Sequence, residues 1–151
     1  KGVLEAMQEG PVAGYPMSDV RVVVYDGKMH SVDSNEAAFK SAARACFRDA
    51  FQKASPSMLE PIHRIVVNAP DEYTGDVMGD LNTRRAQIQG IESEDHIQRI
   101  TALVPESELL RYSTSLRSIT HGRANFHKAL HGYAELPEQV QQELSQAREA
   151  G

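Results

Sequence analysis

A regular succession of strand and helix patterns between residues 62 and 130 constrains the fold more than any other feature of this sequence. Alternating and β-branched apolar residues predict four strands, and apolar residues at three-to-four spacing predict one helix after the first strand and one after the third. This order is that of the ferredoxin-like βαββαβ sandwich, an α+β fold in which two helices cover one antiparallel sheet. The strands are predicted at residues 62–68, 86–91, 97–104 and 124–130.

Both predicted helices open with a proline followed by acids, which favour the positive end of the helix dipole. The first opens at Pro70, and the second opens at Pro105 and ends at Gly122. Arg84 and Arg85 follow the first helix, where basic side chains complement the dipole. The residues predicted to face the core are Tyr73, Val77 and Leu81 in the first helix, and Leu109, Tyr112, Leu116 and Ile119 in the second.

Gly75 and Gly79 are four residues apart inside the first predicted helix, where each glycine costs about 1 kcal/mol relative to alanine. Some gain must offset that cost. The first explanation is close packing of the helix on the sheet. The alternative is close approach of an RNA or protein backbone to the helix start at Tyr73-Thr74-Gly75.

Residues 1–57 contain too few predicted elements to complete a layer of their own. A β-branched run at residues 20–25 predicts a strand that stops at the Asp-Gly turn signal of residues 26–27. A capping-box pattern at residues 33–36, with Asp33 as the cap, then predicts a long helix through residue 54. One strand cannot bury a sheet face, so we expect a partial α/β unit whose other strands lie upstream.

The long predicted helix has an apolar stripe and a basic row. Cys46 lies on the apolar stripe and is expected to be a buried structural thiol. Lys40, Arg44 and Arg48 are four residues apart and are expected to form a solvated face. The apolar stripe consists of Phe39, Ala43, Cys46, Phe47, Ala50 and Ala54.

Prolines and serines mark a boundary between two domains near residue 57. We therefore predict a first unit over residues 1–57 and a ferredoxin-like unit over residues 58–131. Residues 132–151 are predicted to contain an amphipathic, acidic C-terminal helix that packs on one of the two units.

The formal net charge of -5 argues against a protein that coats RNA electrostatically, but much of the acidity is local. Residues 129–151 hold one basic and four acidic side chains, whereas residues 1–57 hold seven of each. Docking on RNA through small patches is compatible with this balance. The sequence contains neither a long apolar run nor a signal-peptide pattern, and its single cysteine fits a reducing cytoplasm.

Long stretches in the same order along the chain resemble one family. Residues 21–39 resemble the second half of domain IV of bacterial elongation factor G, and residues 59–62, 70–85 and 116–123 resemble its domain V. The resemblance implies a partial unit with the fold of the second domain of ribosomal protein S5, followed by a ferredoxin-like domain and a C-terminal helix that returns to the first unit.

The resemblance also implies two ribosome-facing sites. A tip loop would enter the decoding region of the small subunit, and the ferredoxin-like unit would face large-subunit ribosomal RNA and the stalk base. The tip-loop residues are Gly27, Lys28, Met29, His30 and Ser31. The large-subunit residues are Tyr73, Thr74, Gly75, Arg117, Thr120, His121, Gly122 and Arg123.

The function implied is ribosomal translocation of tRNA and mRNA by a monomeric, cytoplasmic GTPase. The phosphate-binding pattern Gly-x-x-x-x-Gly-Lys-Ser/Thr does not occur in this sequence, so GTP and Mg²⁺ would bind an upstream domain and this chain is not itself an enzyme. Met29, Ser31 and Lys128 depart from the family pattern, which leaves open a paralogue for ribosome recycling or protection.

Three alternatives come from other classes of protein. An acylphosphatase needs an arginine after the first strand, but residues 68–71 contain none. A metal site could use His121, His127 and His131, although these lack a typical zinc-ligand spacing. A stand-alone protein-interaction module could use the open face of the sandwich.

Overall fold

The computed structural model describes residues 1–11 and 14–149 of the chain. The described residues form two compact units, one over Leu59–Leu136 and one over Lys1–Met58 together with Pro137–Gly151. In chain order the elements are α1 (Gly2–Glu9), α2 (Glu36–Lys53), β1 (Leu59–Pro70), α3 (Thr74–Thr83), β2 (Gln87–Glu94), β3 (Ile97–Pro105), α4 (Tyr112–Ile119), β4 (Asn125–Glu135) and α5 (Glu138–Glu149), with 3-10 helices at Asp71–Tyr73 and Glu106–Leu109.

The division between the units falls after Met58, one residue beyond the predicted boundary. The second unit extends past its predicted limit at residue 131, because β4 continues its pairing with β1 to Glu135. Residues 132–135 therefore end a strand instead of leading into the C-terminal helix. The last two residues of the predicted segment 132–151 lie outside the described residues.

The second unit has the predicted ferredoxin-like topology. Its strands lie in the order β2-β3-β1-β4, and every neighbouring pair is antiparallel. Lys128 is exposed on the edge strand β4. The β2–β3 hairpin turns at Asp95 and His96, whose φ values of 45° and 66° suit a tight two-residue turn.

Alternate residues of the inner strands and the apolar stripes of both helices form one core, as the sequence predicts. The side chains of Ile65, Val67 and Ala69 on the central strand β1 are fully buried. The other buried core residues are Val77 and Leu81 of α3, Ile100, Ala102 and Val104 of β3, and Leu109, Tyr112 and Leu116 at and before α4.

Arg84 and Arg85 join elements of this unit instead of only complementing the dipole of α3. Arg84 donates to Asp80 at 2.8 Å and to the Glu108 carbonyl at 2.6 Å, and its guanidinium lies 5.0 Å from the centroid of the Tyr112 ring. Arg85 donates to Glu60 at 2.8 Å and to Glu108 at 3.0 Å. The two arginines thus connect the end of α3 to β1 and to the segment before α4.

The predicted close packing at Gly75 and Gly79 is wrong. Apart from the glycine's chain neighbours and the backbone of its own helical turn, a Cβ atom built on either glycine meets no atom of the described residues within 4 Å, and both residues are exposed. Both glycines therefore lie on the outer face of α3.

In the first unit, the predicted strand at residues 20–25 is wrong. The stretch is extended, but no strand is assigned in this part of the described chain, and Val24 and Tyr25 are 82% and 96% exposed. A β-branched sequence forms a strand only where a neighbouring strand pairs with it. The described residues supply no such neighbour here.

The predicted cap of α2 is also wrong by two residues. The Asn35 side chain, not Asp33, accepts a hydrogen bond from the Ala38 amide at 2.8 Å. Asp33 is therefore free to contact the loop that precedes the helix.

The basic row of α2 is paired with α1 instead of being only solvated. Lys40 contacts Glu5 at 3.0 Å, and Arg44 and Arg48 both contact Glu9. The helices approach closely, since a Cβ atom on Gly2 would lie 2.6 Å from the Lys40 carbonyl oxygen. Ala6 of α1 and Phe47 of α2 are buried.

Cys46 is exposed, so the prediction of a buried thiol is wrong. The predicted apolar stripe of α2 is only partly covered, since Phe39 remains 50% exposed. In α5, which belongs to this unit, Val140 and Leu144 are half-buried, and Gln141 accepts a hydrogen bond from the Met58 amide at 3.2 Å.

Gly79→Ala should raise the free energy of unfolding by about 0.5–1 kcal/mol, because the new methyl group meets open space and alanine restricts the unfolded chain. Urea unfolding followed by circular dichroism measures the change. The matched control, Gly122→Ala, should lower stability by about 1 kcal/mol, because Gly122 has φ +79°. A loss of stability in Gly79→Ala would contradict the open outer face of α3.

Candidate functional site

The register between β1 and β4 brings together two turns at one end of the second unit. Asn68 and Asn125 are partners in the ladder, and their side chains hydrogen bond at 3.1 Å. The chain leaves β1 into the 3-10 helix that contains Tyr73, and it enters β4 shortly after Arg123. Residues distant in sequence therefore meet at this end of the sheet.

Three of the predicted large-subunit contacts form one cluster, which we call the Tyr73 cluster: Tyr73, His121 and Arg123. The rings of Tyr73 and His121 meet edge to face, with centroids 6.0 Å apart and an interplanar angle of 62°. The Arg123 guanidinium carbon lies 5.6 Å from the centroid of the Tyr73 ring. A hydrogen bond with Tyr73 and the nearby charge of Glu72 raise the pKa of Arg123.

The turn after α4 determines where the Tyr73 cluster presents its side chains. His121 and Gly122 both have left-handed backbone conformations, with φ of 50° and 79°. The Gly122 amide donates to the Arg117 carbonyl at 2.8 Å, and the Arg123 amide donates to the Thr120 carbonyl at 2.9 Å. His121, Gly122 and Arg123 are all exposed at this turn.

Thr120 supports this turn and does not belong to the exposed surface. Its side chain is fully buried, and its hydroxyl donates to the Leu116 carbonyl at 2.7 Å and accepts from the Ala124 amide at 3.2 Å. The Thr120 hydroxyl therefore donates and accepts inside the turn, and the side chain presents no surface to a ligand.

The remaining predicted residues differ in their access to solvent. Arg117 and Gly75 are exposed. The Thr74 hydroxyl is buried without a hydrogen-bond partner among the described residues, so it cannot reach a ligand from its present position.

Glu72 is the residue that the sequence analysis missed at this surface. Its carboxylate forms an ion pair with Arg123, and the two side chains are 57% and 56% exposed. Its sequence position is that of an acid in the first turn of a helix, and no local pattern indicates a contact with an arginine 51 residues further along the chain.

The predicted tip loop is exposed throughout and is held by polar side chains that follow it. The Ser34 hydroxyl accepts from the His30 amide at 2.7 Å. His30 Nδ1 lies 3.2 Å from Asp33 Oδ2 and 3.5 Å from the Val32 amide nitrogen. At the start of the loop, the Gly27 amide donates to Asp26 at 2.7 Å. Lys28, Met29 and Ser31 project from this loop without a contact that fixes them in the described residues.

Both surfaces present polar side chains to solvent. The Tyr73 cluster offers an aromatic ring, an imidazole and a guanidinium, which can stack on bases and donate to phosphate oxygens. Among residues 1–11 and 14–149, no group of three or more His, Cys, Asp and Glu side chains is arranged to hold a metal ion. No helix within the same ranges is both long and apolar enough to cross a bilayer.

Comparison with known proteins gives matches along the whole chain. Residues 1–55 match the family model of elongation factor G domain IV, and residues 57–144 match that of the elongation factor G C-terminus. An elongation factor G of Aquifex pyrophilus is 46% identical over all 151 residues, which correspond to 22% of its length. A crystal structure of a protein from Thermus thermophilus matches 99% of this chain and 23% of its own, with a TM-score of 0.87 and 38% identity.

The fold and these matches define a segment of a translation elongation factor. The chain belongs to the elongation factor G family, of which it carries domain IV and the C-terminal domain. It spans about a fifth of the length of the relatives that it matches, and the matched domains do not include a GTPase domain.

Proposed function

We propose that this chain is the ribosome-contacting part of an elongation-factor-G-like GTPase that promotes translocation of tRNA and mRNA in the cytoplasm, acting as a monomer. GTP and Mg²⁺ would bind a different domain of the whole protein. The observation that carries the proposal is the Tyr73 cluster, because it joins an aromatic ring and a cation at an exposed turn in a chain of this family.

The Tyr73 cluster would bind large-subunit ribosomal RNA near the stalk base. Arg123 would donate to a phosphate while its guanidinium rests against the Tyr73 ring, and His121 would donate to the RNA backbone or to a base. Arg117 lies about one helical turn before His121 in the sequence and would add a second positive charge. Gly75 would let the RNA approach the start of α3, since its position has open space around it.

The tip loop would act in the decoding region of the small subunit. Lys28 supplies long-range attraction to RNA, and His30 can donate a hydrogen bond to a phosphate, ribose or base edge. The contacts of Asp33 and Ser34 with His30 support this role, because they restrict an otherwise exposed histidine. Gly27, Met29 and Ser31 would complete the contact surface.

Arg123→Ala should weaken binding of the chain to purified large ribosomal subunits by about tenfold, because one charge-assisted hydrogen bond to the RNA is lost. Anisotropy of a fluorophore on Cys46, which is exposed, can report binding. The matched control is Arg99→Ala, which removes an exposed arginine paired with Glu92 at 3.6 Å on β3. Equal affinities for wild type and Arg123→Ala would contradict the assignment.

His30→Ala should slow translocation by about tenfold while leaving GTP hydrolysis nearly unchanged, because the lost hydrogen bond acts at the tip and not at the nucleotide. The assay needs a chimaera in which this chain replaces the matching 22% of the Aquifex pyrophilus elongation factor G. His96→Ala, at the exposed β2–β3 turn, is the control for loss of a surface histidine. An unchanged translocation rate in His30→Ala would refute the role of the tip.

A further inference from the structure

The guanidinium of Arg123 already has an anionic partner inside the chain. Glu72 forms an ion pair with it from the 3-10 helix, while the Tyr73 ring lies against the same guanidinium. Glu72 contacts the Nη1 nitrogen of Arg123. A phosphate that binds across both terminal nitrogens of the guanidinium also needs Nη1, so in that geometry it competes with Glu72 for this nitrogen.

We propose that Glu72 is an internal competitor for the RNA phosphate on Arg123, and that it limits the affinity of this surface for RNA. The inference rests on the proposed function and adds an affinity-determining residue to it. In the free protein the carboxylate occupies the place of a phosphate. When RNA binds, the phosphate displaces Glu72 while the contact with Tyr73 keeps the guanidinium in position.

The exposure of this pair makes the exchange possible. Both side chains are more than half exposed, so solvent and RNA reach them without a rearrangement of the core. In solvent, the exposed Glu72–Arg123 pair contributes a preference of about fivefold at most, whereas a charge-assisted hydrogen bond to a phosphate at an RNA interface that excludes water contributes about tenfold or more. The phosphate can therefore displace Glu72 from Arg123. Part of its binding free energy is offset by the loss of the Glu72–Arg123 ion pair and by repulsion between the phosphate and the Glu72 carboxylate.

The alternative is that Glu72 only stabilises the turn. Glu72→Gln keeps the length of the side chain and one acceptor oxygen, and it removes the negative charge. A residue with a purely structural role would leave the salt dependence of RNA binding unchanged. A competitor would alter it, because each phosphate neutralised by a protein cation contributes about 0.7–0.9 to the slope of log K against log salt.

Glu72→Gln should tighten binding of the chain to purified large ribosomal subunits by about two- to fivefold and make the salt slope steeper by up to about 0.7–0.9. The matched control is Glu92→Gln, which neutralises another exposed acid paired with an arginine of the same unit. This control should bind as the wild type does. Wild-type or weaker binding by Glu72→Gln would overturn the proposal.

The double variant Glu72→Gln/Arg123→Ala separates competition from a general loss of negative charge. If Glu72 acts through Arg123, its substitution should have no effect once Arg123 is removed. An equal gain in both backgrounds would contradict competition. If Arg123→Ala alone binds normally, the proposed RNA surface fails; if Arg123→Ala weakens binding but Glu72→Gln does not tighten it, only the competition fails.

Discussion

The antiparallel register between β1 and β4 is the constraint on which the second unit and its candidate site both depend. β1 is an inner strand of the sheet and buries Ile65, Val67 and Ala69 in the core. Because side chains alternate between the faces, a slip of one residue would move this apolar set out of the core. The burial of β1 therefore fixes the pairing that brings Tyr73 beside His121 and Arg123.

At the Tyr73 cluster, the residue that holds the turn in place is buried, and the candidate contact residues are exposed. Thr120 is buried and completes the hydrogen bonds of the turn, whereas His121 and Arg123 extend from it into solvent. The tip loop shows a similar division, in which Ser34 and Asp33 hold the backbone and ring of His30. In both places, structural side chains hold the candidate contact residues at the surface, which lowers the entropy lost on binding.

The sequence predicts the second unit well because residues that are buried at regular intervals produce a regular spacing of apolar residues along the chain. The spacing of Val77 and Leu81, for example, is that of a buried helix face. It predicts the first unit less well. The apolar residues at 20–25 and the position of Cys46 on an apolar stripe indicate burial, but both are exposed because the described residues do not cover them. Contacts across long sequence separations, such as those of Arg85 with Glu60 and Arg123 with Glu72, leave no pattern along the chain. These pairs could be found only from the fold.

The measurement that tests the RNA-facing role of the Tyr73 cluster most directly is hydroxyl-radical probing from an iron chelate tethered beside it. In a Cys46→Ser background, Ser118→Cys places the chelate at an exposed position of α4 next to Arg117 in sequence, and Ser93→Cys places it at an exposed position of the edge strand β2 as a control. We expect localised cleavage of large-subunit ribosomal RNA from residue 118 and much less from residue 93. No cleavage from residue 118, or stronger cleavage from residue 93, would contradict it.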